Sequence, residues 1–169
     1  TGDVLNFAAA DSTFDVIGTP PAMAATDWIV IYNLTAIDAA SNAYLGDNRE
    51  GFASEAGGTI TLDAAKLFPL ASPGKRFHVV QYPVSYHCDL GTGQLRRYWG
   101  YTIQAAQPTG TLPLDGSSTL LATHVTECSF TYATDGASGR TGVVALTLQI
   151  EQSGEKVRLF QQVHVSNVP

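Results

Sequence analysis

Apolar side chains recur along this chain mainly at every second position, and β-branched and aromatic residues crowd into short runs broken by Gly, Pro, Asn, Asp and Ser. A period of two is the mark of a strand with one covered and one wet face, so the pattern predicts a mainly β protein. Its sheets are expected to be antiparallel and sandwich-like, with at most one or two short helices. The runs predict strands over 4–7, 13–17, 28–34, 58–62, 76–88, 95–104, 119–124, 128–133, 142–152 and 156–165. Pro83 lies inside the fifth run, which makes that strand an edge, a bulged strand, or two strands. Turn chemistry separates the runs at Gly18-Thr19-Pro20-Pro21, Ser72-Pro73-Gly74-Lys75, Asp89 to Gly93 and Thr134-Asp135-Gly136. Only Pro21 to Ala25 and Asp63 to Phe68 read as a helical turn or two.

The clearest unit is the C-terminal hairpin. Val144, Leu146, Leu148 and Ile150 fall on one face, and Val157, Leu159, Val163 and Val165 continue it across Ser153-Gly154. Read as a buried face, such side chains contribute roughly 1.5 to 3 kcal/mol each before entropy is subtracted. Loss of the hairpin is therefore expected to unfold the domain. The stretch from Thr35 to Gly58 is rich in Ala, Asn, Asp and Gly and predicts a long exposed loop.

Composition narrows the picture. The 169 residues suffice for one domain with a sizeable core, and with no internal repeat or low-complexity tract the expectation is a single domain over 1–169. Hydrophobic residues at 44% against charged residues at 14% exclude a disordered polyelectrolyte. Fifteen acidic side chains against nine basic ones give a net charge of -6, which repels phosphate backbones and anionic lipid, so nucleic acid is not an expected partner. No stretch approaches the ~20 apolar residues that span a bilayer, and Thr1-Gly2-Asp3 begins no signal peptide, so the chain as it stands is read as soluble.

Cys88 and Cys128 are the two cysteines, each at a strand end beside turn residues, with Tyr86 at i-2 of the first and Phe130 at i+2 of the second. Pairing them closes a loop worth ~4 kcal/mol on the chain-entropy model. A structural disulfide is favoured over a free core thiol or a reactive cysteine, and it points to an oxidising compartment such as a bacterial periplasm or cell surface. Zinc held by His87-Cys88 and His124-x-x-x-Cys128 is disfavoured, because neighbouring strand residues point to opposite faces. No G-x-S-x-G turn supports a serine hydrolase, and no acidic pair stands in an apolar setting suited to glycoside chemistry. Asp47-Asn48-x-Glu50 lacks the calcium-loop series and reads as a polar turn. Arg96-Arg97-Tyr98-Trp99-Gly100-Tyr101 is the densest aromatic and basic run, with Trp99 and Tyr101 expected on one strand face. Arg96, Arg97, Trp99 and Tyr101 are the candidate interaction surface, for sugar rings or a partner protein, set against a reading in which one face is simply core.

Val84 to Asp89 followed by Gly93 to Tyr101 resembles the cysteine-bearing strand and hairpin of minor pilin subunits. Val125 to Tyr132, Arg140 to Val144 and Val157 to Pro169 resemble the C-terminal signature of that group. Gly2-Asp3 to Phe7, Phe14-Asp15-Val16, Tyr32-Asn33-Leu34 and Gly46-Asp47-Asn48-Arg49 extend the likeness to MshO-type minor pseudopilins of mannose-sensitive haemagglutinin (MSHA) type IV pilus biogenesis. The resemblance implies a periplasmic head on an apolar N-terminal helix, cleaved by a prepilin peptidase, anchored in the inner membrane of a Gram-negative bacterium and later packed into a pilus. That helix has no counterpart within these residues. The implied partners are other minor and major pilin-like subunits, with no cofactor, no metal, no small-molecule substrate and no catalytic residue. Two other classes compete: a carbohydrate-binding or adhesive β-sandwich using Trp99 and Tyr101, and, with least support, a hydrolase sited in the 35–58 loop.

Overall fold

The computed structural model describes residues 2–34, 38–109, 115–134 and 141–166. Among these, eleven strands form three antiparallel sheets, and the helical content is a single 3-10 turn at Ala39–Ser41. The mainly β, antiparallel expectation holds. Of the turn expected at Thr134-Asp135-Gly136, Asp135 and Gly136 lie outside the described residues, as do 35–37 of the expected long loop. The chain divides between Gln81 and Tyr82 into two compact units. The division falls in the run interrupted by Pro83, which is two strands.

The first unit is one five-stranded sheet of β1 (Asp11–Asp15), β2 (Trp28–Ile31), β3 (Arg49–Ala56), β4 (Thr59–Lys66) and β5 (Phe77–Val80), in the order β1-β4-β3-β2-β5. Alternation puts Ile29 with Ile31 and Ile60 with Leu62 on one face, where Phe14, Phe52 and Phe68 complete the core. Ile29 and Ile60 are wholly buried at 0% exposure, which places each at the upper end of the ~1.5 to 3 kcal/mol that such a side chain contributes. Asn48 fastens the end of β2: its side-chain amide donates to the Ile31 carbonyl at 3.0 Å, and its main-chain carbonyl accepts from Ile31 N–H at 2.9 Å. Tyr32, at φ 55°, then turns the chain out of the strand, short of the expected end at Leu34.

Four expectations for this unit are corrected. The supposed loop to Gly58 contains β3, which pairs with β4 through Ala56↔Thr59 around Gly57-Gly58. Both glycines have positive φ, 61° and 93°, the geometry a two-residue hairpin turn demands. Asp63 to Lys66 is strand rather than helix, because pairing in the sheet overrides the helix preference of Ala64-Ala65-Lys66; Pro21 to Ala25 is likewise not helical. Residues 4–7 form no strand. There the Asn6 side chain accepts from the N–H groups of Ala8 and Ala9, and Asp11 accepts from Asn6 N–H, so local side chains take the donors a ladder would use.

The second unit is built from two three-stranded meanders. β6 (Val84–Asp89), β7 (Gln94–Trp99) and β8 (Ser117–Ala122) form one, and β9 (Val125–Thr134), β10 (Thr141–Gln152) and β11 (Glu155–Ser166) the other. The chain passes between them at Thr123-His124, with His124 at φ 58°. Leu95, Val125 and Leu148 form the buried core, lined by Cys88, Ala122, Cys128, Leu146 and Ile150. The expected disulfide is present: Cys88 on β6 is bonded to Cys128 on β9, Cα atoms 6.2 Å apart, and so joins one sheet to the other. A core this small gains much from such a staple, which closes a loop of 40 residues' separation and stabilises by ~4 kcal/mol.

Candidate interaction surface

The C-terminal sheet sorts its side chains by face. β10 pairs with β11 over twelve consecutive residue pairs without a bulge, from Thr141↔Ser166 to Gln152↔Glu155, across the positive-φ turn Ser153-Gly154. Residues directly opposite share a face. Val144, Leu146, Leu148 and Ile150 therefore lie in rows with Val163, Gln161, Leu159 and Val157 on one side, and with Tyr132, Phe130, Cys128 and Val125 on the other. The apolar face and its continuation across the hairpin are as the alternation predicts.

Its burial is not. Only the end near the disulfide is covered, by Leu95 and its neighbours. At the other end of β9 Phe130 is 43% exposed and Tyr132 52%, and along the whole outer strand β11 Val157 is 62% exposed, Leu159 56% and Val163 55%. These side chains together present an apolar area on the order of several hundred Å², comparable to the largest patch of a typical monomer. The opposite face is mainly polar apart from exposed Phe160: Lys156 pairs with Glu151 at 3.2 Å, and Arg158 reaches Glu127 at 2.8 Å. The sheet is thus amphipathic, with its apolar side bare along β11 and at the far end of β9 and half-buried along β10.

Aromatic residues extend the patch towards β6. The Tyr86 and Phe130 rings, which flank the two cysteines in sequence, are 6.4 Å apart, and Tyr86 stands opposite Arg97. The Arg97 guanidinium lies 4.7 Å from the centre of the Trp99 ring. Arg97 and half-buried Trp99 therefore belong to the margin of this surface. Arg96, on the other face, contacts Gln94 and Ser118. Tyr101 is buried and bonded through its hydroxyl to Ser85 Oγ at 2.6 Å. The strand ends at Trp99, and Gly100, at φ 69°, rotates the chain so that Tyr101 reaches the Ser85 side. Trp99 and Tyr101 do not form the paired aromatic platform that i, i+2 spacing suggests.

Electrostatics around the unit are local. The Thr92 hydroxyl and N–H hold the Asp89 carboxyl below its ordinary value, and Thr102 does the same for Asp115. In the first unit the hydroxyl of Thr59, then Asp3 N–H, lowers Asp15. Each is a turn or edge carboxylate held by neighbouring donors, a structural arrangement. The two sulfurs that a zinc site would use are bonded to each other, and among the described residues no group of three His, Cys, Asp or Glu side chains converges. No described helix is long and apolar enough to cross a membrane.

The signal for this surface was in the sequence, because Phe130, Tyr132, Val157, Leu159 and Val163 all sit on the alternating face. Alternation says which residues share a face and is silent about what lies across it. No family model, curated protein or solved structure matches the chain.

Proposed function

We propose that this chain is a structural assembly subunit of the minor pilin-like (pseudopilin) type, acting through protein contacts without catalysis, and exported to the periplasm or cell surface. The observation that carries the reading is the bare apolar face at Phe130, Tyr132, Val157, Leu159 and Val163 on a sheet whose other face is charged and hydrogen-bonded. Such a face costs solubility unless it is covered in the working state. An apolar helix of the subunit itself, packed lengthwise along the sheet, suits its length and composition, and other pilin-like subunits would meet the surface at its aromatic margin. The disulfide fits an oxidising compartment.

Deleting the gene in the bacterium that carries it tests the proposal. Surface pili counted by electron microscopy should fall sharply and return on complementation, and the codons before Thr1 should encode a prepilin peptidase site and an apolar helix. Unchanged pili, or a polar upstream segment, would defeat it.

A further inference from the structure

β11 is an unusual edge. It runs twelve residues, pairs with β10 alone, and contains neither Pro nor Gly nor a bulge. Of the other edge strands, β5 has four residues, β1 five and β6 and β8 six each; β9 has ten, but its register shifts against β10 and the disulfide ties it to β6. Long regular edges are normally guarded by charge, above all lysine. Here the two guards are neutralised within the sheet: Lys156 is tied to Glu151 and Arg158 to Glu127. Apart from Glu155 at the turn, what remains along the edge is apolar or uncharged, and Val157, Leu159, Phe160 and Val163 are all more than half exposed.

We infer that β11 pairs antiparallel with β11 of a second copy of this chain about a two-fold axis at Gln161, joining two three-stranded sheets into one of six. The register follows from the side chains. Centring on Gln161 sets Leu159 opposite the partner's Val163 and Val157 opposite the partner's Val165, while the two Gln161 amides face each other and can exchange hydrogen bonds. On the other face Phe160 meets Gln162 and Arg158 meets His164, so no carboxylates confront one another. An interface about eleven residues long (156–166) at ~3.3 Å per residue, and one sheet thickness of ~10 Å, lies below the ~1,600 Å² of a standard stable complex. The dimer is therefore a weak one, forming over roughly ten to a few hundred micromolar. It uses the edge of the sheet, leaves the apolar face open, and stands independently of the pilus reading.

Sedimentation velocity on the oxidised protein from about 5 to 500 µM tests it. The expected result is a concentration-dependent shift from monomer to twice the monomer mass. Leu159→Lys alone and Val163→Glu alone should each weaken association at least ~10-fold. The two together place opposite charges across the axis twice and should restore it to within ~3-fold. Circular dichroism of each variant checks that these exposed positions leave the fold intact. A protein that stays monomeric throughout, as it would if the edge served only a strand of a different protein, overturns the inference. So does a double variant that fails to recover, or a Leu159→Lys variant that associates like the parent.

Discussion

Replacing both Cys88 and Cys128 with Ala removes the covalent link between β6 and β9. The second unit has only Leu95, Val125 and Leu148 fully buried in its apolar cluster, so little else holds its two meanders together. Releasing a loop of 40 residues' separation raises the entropy of the unfolded chain by an amount worth ~4 kcal/mol. With a urea slope of about 1.5 kcal/mol per molar, suited to a small unit, the midpoint should fall by ~2.5 M. Equilibrium urea unfolding followed by far-ultraviolet circular dichroism measures this. Hydrogen exchange locates it, with faster exchange expected in residues 82–166 and little change in β1 to β5. A midpoint shift under ~0.5 M would refute the reasoning, because the sheets would then be held by packing and the bond would be incidental.

Further outcomes follow from particular residues. Ile60→Ala empties a wholly buried site in the first core and should cost about 2 to 5 kcal/mol by urea unfolding. Gly58→Ala at φ 93° should cost ~1 to 2 kcal/mol in the same assay through strain in the β3–β4 turn, although nothing lies within 4 Å of the new methyl group. Tyr132→Asp should change stability by less than ~0.5 kcal/mol, since the side chain is half exposed, yet should abolish incorporation into pili scored by immunogold labelling. Asp15, Asp89 and Asp115 all titrate below their unfolded values. Their stabilising contribution is complete above the ordinary aspartate value and is lost as pH falls from there through the folded value. A Tm series from pH 6 to 2.5 should therefore decline at the acid end, and Asp89→Asn should flatten the decline.

Much of the architecture was legible where one physical signal dominated. Strict alternation with a Ser153-Gly154 turn fixed both the faces and the register of β10 and β11, because a slip of one residue would invert every side chain. The cysteine pairing was legible, although Cys128 lies inside β9 as its fourth residue and not at the strand end expected of it. Signals in competition were misread. β3 was obscured by the Ala, Asn, Asp and Gly around it, although Gly57-Gly58 is itself a hairpin turn. Asp63 to Lys66 has helix propensity and lost it to pairing with β3 and β1. The interaction surface was half legible. Spacing assigned Phe130, Tyr132, Val157, Leu159 and Val163 to one face, but exposure depends on what packs across it, which no periodicity records. Tyr101 shows the converse, since a single positive φ at Gly100 removed it from the surface that its spacing implied.

The account rests on the bare apolar face of the C-terminal sheet being covered in the assembled state. A photoreactive phenylalanine analogue placed at Tyr132 in the producing bacterium, with the same analogue at exposed Ile17 as control, tests this most directly. Irradiation should join position 132 to an apolar helix of the subunit itself or to another pilin-like subunit, identified by mass spectrometry, with no such product from position 17. Position 132 remaining uncrosslinked in intact cells, or yielding the same products as position 17, would contradict it.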